Sequence, residues 1–384
     1  MKLNSADEAR LQEALALAAT AIGLSDPNPR VGCIIGRTDG STDGSTLGRG
    51  ATQAAGQAHA EVMALRDAHQ QGHDLRGATA WVTLEPCAHH GRTPPCCDAL
   101  IEAGLARVVI AAIDPFASVN GAGAARLRAA GIQVDLAGGA LAEAAREINI
   151  GFFHRVEHGR PWVRMKVAVS MDGRTALPDG RSQWITGPEA RQDGHAWRRR
   201  AGAVLTGIGT VLADNPRLDV RLVPTQRQPV RVVLDSRGRV PAGASVLQPP
   251  GQVLLVGTAD ATSANPNMPA HGTYSAQGAQ GAHVEYLALP AADGHVDLQS
   301  LLAELGRRQV NELHVEAGAR LNGALLRQGL VDELLVYMAP VLLGEGRPLA
   351  EMLPLAGLAD AQRWHFTSVQ PLGADIRLLA RPHR

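Results

Sequence analysis

His59-Ala60-Glu61, with Pro86-Cys87 beginning 25 positions after Glu61 and Pro95-Cys96 following, is the stretch on which the reading of this chain turns. One imidazole and two thiolates make a three-ligand site for Zn²⁺, with the fourth tetrahedral position left to a water. Bound zinc lowers the pKa of that water from 15.7 toward about 7. Glu61 stands two positions from the histidine, where a carboxylate can carry protons instead of binding metal. A structural zinc would need a fourth protein ligand, drawn from Cys97, His89 or His90, and would leave Glu61 without a task. Singly, His59 reads as a packed histidine and each cysteine as a small core residue; the joint spacing carries the metal reading. Cys97 is the rival to Cys96 as a ligand, and Cys33, in an apolar run, reads as core.

The remainder of the sequence bounds the setting. The 384 residues suffice for two or three domains, and 45% hydrophobic with 19% charged residues implies a sizeable core. Lys plus Arg equals Asp plus Glu at 37 each, and that balance argues against a polynucleotide substrate. The arginine cluster Arg198-Arg199-Arg200 suits a small anionic substrate better. Four cysteines, three of them within eleven positions, point to metal binding and not to a secreted disulfide framework. Met1 to Ser5 runs into a helical pattern without an apolar signal core, and no stretch approaches the roughly 18 apolar residues of a membrane span, so a cytoplasmic protein is expected.

Ser5-Ala6-Asp7-Glu8 has the form of a capping box opening an amphipathic helix. Strands are expected over 31–35, 79–84, 108–113 and 132–134, with helices over 61–68, 95–103, 121–130 and 140–148; Asp39 to Gly48 reads as a surface hairpin or loop. A polar joint at Glu157-His158-Gly159-Arg160-Pro161 precedes a second alternating pattern. It has strands over 162–169, 203–206, 229–234, 252–256, 312–317, 333–338 and 376–380, and helices over 189–200, 298–307 and 319–328. Alternation of this kind predicts α/β layers with parallel pairing. The expected division is residues 1–150 and 160–384. The Ala-, Gly- and Ser-rich stretch Ala259 to Ala282 has no apolar period and reads as an exposed, mobile loop.

His-x-Glu with two Pro-Cys pairs resembles the zinc-dependent nucleobase deaminases, in which the glutamate is a proton shuttle. Most of that superfamily spaces its cysteines Cys-x-x-Cys, whereas eight residues, Ala88 to Pro95, intervene here. The run Thr83-Leu84-Glu85-Pro86-Cys87-Ala88-His89-His90-Gly91-Arg92-Thr93-Pro94-Pro95-Cys96, with Asn28-Pro29-Arg30-Val31-Gly32 upstream, is more specific. It resembles the bifunctional deaminase–reductase family of riboflavin biosynthesis. Lys166 to Ala176, Ser182-Gln183-Trp184-Ile185-Thr186, Val211 to Pro216 and Val315-Glu316-Ala317-Gly318 extend the resemblance through the second half.

The resemblance implies a cytidine-deaminase-like α/β/α domain followed by a domain similar in fold to dihydrofolate reductase. It implies deamination of 2,5-diamino-6-ribosylamino-4(3H)-pyrimidinone 5′-phosphate, then reduction of the ribosyl group to ribityl with NADPH. Carried over by position, His59, Cys87 and Cys96 hold zinc and Glu61 is catalytic. Ser182, Arg198, Leu218, Arg221 and Glu316 would contact substrate. Ala168, Trp184, Thr210, Asp214, Ser236 and the run Gly318, Ala319, Arg320, Leu321, Asn322, Gly323 and Ala324 would contact NADPH. Lys166 would lie at the same place and assist the reduction. A homo-oligomer without nucleic-acid or membrane partners is expected.

The residues support part of this independently. Arg198 and Arg221 offer forked, charge-assisted hydrogen bonds to a phosphate, and Gly318 precedes a helix whose N-terminus suits an anion. The plainer readings make Arg198 a solvated helix charge and Trp184 a core residue. Gly207-Ile208-Gly209 is a weak glycine signal, and no Gly-x-Gly-x-x-Gly follows the strand beginning at Trp162, so a Rossmann domain is not indicated. Two other classes compete: a deaminase joined to a non-catalytic binding module, and a base editor acting on tRNA or DNA. The motifs at Lys166, Asp214 and Glu316 weigh against the first, and the lack of a basic, aromatic-lined stripe against the second.

Overall fold

The computed structural model of the chain describes residues 3–37, 45–88, 94–116, 119–248, 250–258, 273–277 and 283–383. They form two compact units, Met1–His158 and Gly159–Arg384.

In the first unit the order is α1 (Ser5–Thr20), β1 (Gly32–Gly36), β2 (Thr46–Ala51), α2 (Ala60–Gln70), β3 (Thr79–Val82), α3 (Cys96–Glu102), β4 (Arg107–Ile110), α4 (Ala122–Ala129), β5 (Gln133–Leu136), α5 (Gly139–Ile148) and α6 (Ile150–His158). The cap of α1 is Asn4, not Ser5: its Oδ1 accepts the Asp7 N–H at 2.8 Å. This leaves Asp7 free to face inward, where it accepts from Trp81 Nε1 at 2.8 Å and pairs with Arg107 at 2.7 Å.

The sheet runs β2-β1-β3-β4-β5 among the described residues. β3, β4 and β5 are parallel, as alternation predicts, but β1 is antiparallel to both its neighbours. β1 and β2 are separated by only nine residues, too few for the helical crossover a parallel pair requires. β2 begins within the stretch read as a surface hairpin or loop, and its antiparallel pairing with β1 agrees with the hairpin. Its glycines are strand positions over which α2 packs: a Cβ on Gly50 would lie 2.1 Å from the Ala60 carbonyl oxygen, and one on Gly48 2.2 Å from that of Ala64. Leu11, Ile34, Ile35, Trp81, Leu100, Val109 and Leu127 fill the core between the helices and the sheet.

The second unit contains β6 (Trp162–Ser170), β7 (Arg174–Ala176), α7 (Pro188–Arg200), β8 (Ala203–Gly207), α8 (Ile208–Asp214), β9 (Val230–Leu234), β10 (Gln252–Thr258), β11 (Thr273–Gln277), β12 (His283–Leu289), β13 (Ala291–Ala292), β14 (His295–Val296), α9 (Leu298–Arg307), β15 (Glu312–Val315), α10 (Ala319–Arg327), β16 (Glu333–Ala339), β17 (Arg347–Pro348), β18 (Trp364–Leu372) and β19 (Asp375–Pro382). Its main sheet is β11-β12-β10-β9-β8-β15-β6-β16-β19-β18 among the described residues. From β12 to β16 every pairing is parallel, while β11, β19 and β18 join antiparallel at the edges. Within the expected loop 259–282, residues 273–277 form the edge strand β11; residues 259–272 and 278–282 lie outside the described residues.

An ionic layer fixes α7 to this sheet. Arg164, fully buried on β6, pairs with Glu312 at 2.7 Å and with Glu333, and Arg200 reaches the same Glu312 at 2.8 Å. The guanidinium of Arg164 lies 4.3 Å over the Trp197 ring, so the helix carrying Arg198 is held by stacking as well as charge.

The α2–β2 approach makes a stability prediction. Gly50→Ala should destabilise the first unit by about 1–3 kcal/mol, the usual scale of overpacking. A urea titration would read it, and an unchanged midpoint would mean that α2 shifts freely away from the sheet.

Candidate functional site

Three elements deliver the proposed zinc donors. His59 is the N-cap residue of α2, Cys87 follows β3, and Cys96 opens α3. His59 Nδ1 lies 3.3 Å from Cys96 Sγ and 3.8 Å from Cys87 Sγ, and the three donor atoms fall within 4.8 Å of one another. Imidazole with two soft thiolates is a donor set that fits zinc. The Cys96 N–H donates to Cys87 Sγ at 3.3 Å. Hydrogen bonding from the Cys96 thiol, with His59 beside it, lowers the Cys87 thiol to about 4, while the same contact pushes Cys96 up. The pair thus already holds one thiolate, and a cation would draw off the second proton.

Glu61 lies in the first turn of α2 and is 4% exposed. Burial, and then the Cys87 thiolate, raise its carboxyl to about 7. Cys97 is turned away: its thiol donates to the carbonyl oxygens of Pro86 at 3.3 Å and Gly123 at 3.5 Å. Cys33 is buried in β1, as core. Residues 89–93, which include the alternative donors His89 and His90, lie outside the described residues.

Glu85 is a site residue that the sequence reading passed over. Its buried carboxylate accepts the N–H groups of Asp114 at 3.3 Å, Gly121 at 2.9 Å and Ala124 at 3.0 Å, tying the start of α4 to the segment that ends in Cys87. Its signal was its place in Leu84-Glu85-Pro86-Cys87: a charged residue at the end of a buried strand needs partners.

In the second unit Thr210 and Asp214 follow β8, Ser236 follows β9, and Glu316 and Gly318 follow β15, at the C-terminal ends of parallel strands where open α/β sheets bind ligands. Glu316 follows β15 and is the hub. Arg198 grips both carboxylate oxygens, one from Nε and one from Nη2 at 2.9 Å; Lys166 Nζ is 3.8 Å away and His314 Nε2 3.4 Å. Burial alone would raise Glu316, but Arg198 and Lys166 reverse this and hold it well below the ordinary carboxylate range. Burial lowers the Lys166 ammonium. Arg198 is therefore not a solvated helix charge: Nη1 donates to the Asp219 carbonyl oxygen at 3.0 Å, and its fork is committed to Glu316. Arg221 is the more accessible cation, its side chain 45% exposed and held to Asp219 at 2.8 Å.

Leu218 is buried with φ +55°, a left-handed conformation rare for such a residue. Any substrate contact at Leu218 therefore runs through its backbone. Ser182 and Trp184 lie on the segment before α7; Trp184 is 66% exposed under the Arg191 guanidinium, 4.6 Å from the ring centroid, and is not core. Ala168 lies on β6 beside Tyr337, two positions from Lys166 and on the same face. Thr210 is on α8, where a Cβ on Gly318 would meet its hydroxyl at 3.8 Å, and Asp214 ends that helix. The Ser236 hydroxyl accepts the Val296 N–H at 3.3 Å.

The run 318–324 divides. Gly318, Ala319, Arg320 and Leu321 form the open first turn of α10. Asn322 and Gly323 face inward, Asn322 donating to the carbonyls of Ala317 at 3.2 Å and Leu349 at 2.8 Å. A Cβ on Gly323 would lie 2.1 Å from the Glu351 carbonyl oxygen. An open helix N-terminus beside Thr210 fits an anionic dinucleotide. His195 and Asp219 also belong to this cluster and were not anticipated; His195 lies one turn before Arg198 on α7, a spacing that puts both on one face.

Residues 4–112 match the cytidine and deoxycytidylate deaminase zinc-binding region, and residues 161–378 match the RibD C-terminal domain. The riboflavin biosynthesis protein RibD of Escherichia coli (strain K12) is 44% identical, the match covering 97% of this chain and 98% of that one. The Aquifex aeolicus protein of the same name is 37% identical over 96% and 97%. Among solved structures, Acinetobacter baumannii RibD is similar with a TM-score of 0.83 and 39% identity, covering 99% of both chains. A diaminohydroxyphosphoribosylaminopyrimidine deaminase/5-amino-6-(5-phosphoribosylamino)uracil reductase from Thermotoga maritima is similar with a TM-score of 0.83 and 31% identity, covering 98% and 99%.

The geometry separates two neighbouring thiols. Cys97→Ser should keep zinc content near that of the wild type, whereas Cys96→Ser should lose it, as read by metal analysis of the purified proteins. Zinc loss from the Cys97 variant would mean that the wrong thiolate has been assigned.

Proposed function

The chain belongs to the RibD family of riboflavin biosynthesis proteins, and we propose that Glu61 with His59, Cys87 and Cys96 carries its deaminase chemistry and the Glu316 cluster its reductase chemistry. It is a bifunctional enzyme. A hydrolytic deamination acts on 2,5-diamino-6-ribosylamino-4(3H)-pyrimidinone 5′-phosphate, and an NADPH-dependent reduction then converts the ribosyl side chain to ribityl. The observation that carries the first assignment is the convergence of the His59, Cys87 and Cys96 donor atoms within 4.8 Å of one another, with Glu61 buried on the same helical turn as His59.

Zinc, when bound by His59, Cys87 and Cys96, supplies a water acidic enough to be hydroxide near neutral pH. Glu61 accepts one proton of the attacking water and passes it to the ring nitrogen, then takes the second from the hydroxyl of the tetrahedral adduct and gives it to the amino group, which leaves as ammonia. A carboxyl with a pKa close to the working pH serves both directions. Glu85 holds the segment behind Cys87 and so fixes the approach. Among the described residues its hydrogen bonds are all to backbone N–H groups, so it positions residues and does not act on substrate.

In the second unit NADPH supplies hydride. The residues that would hold it are Thr210, Asp214, Ser236 and the open turn Gly318 to Leu321, with Ala168 and Trp184 beside the reacting end. Asn322, Gly323 and Ala324 support that turn from beneath. Glu316 and Ser182 would orient the ribosyl group, with Leu218 contributing its backbone. Lys166, its proton loosened by burial, is placed to deliver the proton that accompanies the hydride. Arg221, with Arg198 behind it, would take the 5′-phosphate.

The remaining expectations are proposals of the same kind. Phe366 and Val369 on β18 and Ile376 on β19 are 66%, 58% and 43% exposed, an apolar surface that supports a homo-oligomer. Among the described residues no helix is long and apolar enough to cross a membrane. All four cysteines are free thiols, which supports a reducing, cytoplasmic setting. The even charge balance supports a small phosphorylated substrate over nucleic acid.

The deciding assay supplies the phosphorylated diaminopyrimidinone with NADPH and follows ammonia release and nicotinamide oxidation together, with and without a zinc chelator. Both signals, with ammonia release lost first to the chelator, are expected; ammonia alone would remove the reductase assignment. Glu61→Gln should retain zinc while ammonia release falls by about 10²–10⁴, the usual worth of a general acid–base group. Turnover near the wild-type rate would end the proton-shuttle assignment.

A further inference from the structure

His195 carries an unassigned role, and the inference rests on the reductase reading given above. The imidazole is 5% exposed on α7. Its Nδ1 accepts the backbone N–H of Arg221 at 3.1 Å. A neutral imidazole that accepts at Nδ1 must carry its proton on Nε2. Burial, then Arg198 and Arg221, lower this histidine to about 4, so the neutral form is the one present at working pH.

The Nε2–H lies 3.5 Å from Nη1 of Arg198. A guanidinium has no acceptor, so the two groups cannot satisfy one another. Nη1 spends one proton on the Asp219 carbonyl oxygen at 3.0 Å, and Nε and Nη2 are spent on Glu316. A buried imidazole N–H and a guanidinium N–H thus converge with no acceptor between them among the described residues. Two donors facing one another in this way are relieved by an incoming acceptor.

The surrounding charge says what kind of acceptor. Lys166, Arg198, Arg217 and Arg221 stand against two carboxylates, Glu316 and Asp219. Four cations against two anions leave two positive charges, the match for a phosphate monoester carrying about −1.5 to −2 at neutral pH. A neutral carbonyl or hydroxyl of the substrate would leave that excess uncompensated.

We propose that His195 is a phosphate ligand of the reductase site, donating its Nε2–H to the 5′-phosphate of the substrate beside Arg198 and Arg221. The Arg221 backbone N–H fixes the tautomer that makes this possible. His195 therefore reads the phosphate and takes no part in the reduction itself.

Two substitutions separate this role from a structural one. In His195→Asn the amide oxygen still accepts the Arg221 N–H, but nothing reaches the Nε2 position; in His195→Gln the amide N–H reaches that position. Reductase kinetics would be measured on 5-amino-6-ribosylaminouracil 5′-phosphate and on its dephosphorylated form, with inorganic phosphate as competitor and Arg221→Ala in parallel. H195N should raise KM for the phosphorylated substrate by about tenfold or more, the scale of a lost hydrogen bond to a charged group. It should also weaken inhibition by inorganic phosphate, leaving kcat, the KM for NADPH and kinetics on the dephosphorylated form near wild type. H195Q should recover most of the loss. An equal penalty on both substrates would mean that His195 only supports the backbone. A wild-type KM in H195N with a raised one in R221A would remove His195 and keep the phosphate site. Indifference to phosphate in both variants would overturn the phosphate site along with the inference.

Discussion

The first unit depends on how closely α2 lies on β2. At Gly48 and Gly50 the helix backbone occupies the space a side chain would need, so strand and helix meet without intervening side chains. That contact sets the position of the first turn of α2 and, with it, both His59 and Glu61. The other two donors come from the end of β3 and the start of α3, and Glu85 clamps the loop between β4 and α4 against the Cys87 segment. Gly123 allows the last contact: a Cβ there would lie 2.1 Å from the Pro86 carbonyl oxygen. Each donor is thus held by backbone packing, which positions it more tightly than side-chain contacts alone could.

The two units use buried glutamates in opposite ways. Glu61 has a thiolate for a neighbour and little water, so its charged form is disfavoured and its proton exchanges near neutral pH. Glu316 is less deeply placed and has Arg198, Lys166 and His314 around it, and Arg198 and Lys166 hold it well below the ordinary carboxylate range. The first arrangement makes a proton carrier, the second an electrostatic anchor. Arg164 with Glu312 and Glu333 is a third case, an ionic group that fixes α7 through Arg200 and Trp197. Such a pair is most costly when only one partner is removed, because the other charge is stranded.

The metal site was legible because its chemistry is compressed into residue type and spacing: His59, Glu61, Cys87 and Cys96 admit few other uses together. The strands and helices that alternate by apolar period were legible too. What failed to show was structure made without that period. The sequence at 39–48 leaves hairpin and loop open, because the glycines of β2 serve packing under α2. β18, with Pro371 and an outer face of Phe366 and Val369, has no simple alternation at all. α6 continues to His158 through what reads as a joint, and β1 is reversed because strand direction is written in connections and not in composition. In the second unit Arg198 was identified, but its pairing with Glu316 joins residues 118 positions apart, and no local pattern records it.

The contact residues implied by resemblance therefore differ in what their identity means. At Arg221 and Trp184 the side chain is accessible and its chemistry is the point. At Leu218 the side chain is buried in the core, and what matters is its left-handed backbone. At Gly323 a side chain is excluded, so the residue preserves the seat of α10 and not a ligand contact. A matching letter in a sequence thus stands for three different constraints: a functional group, a conformation, or an empty space. Only the first should answer to a substitution that preserves shape and changes chemistry, and His195 belongs with that first group although no motif pointed to it. Its Nδ1 is occupied by the backbone and its Nε2 faces a second donor, so its hydrogen-bonding capacity is what the site constrains.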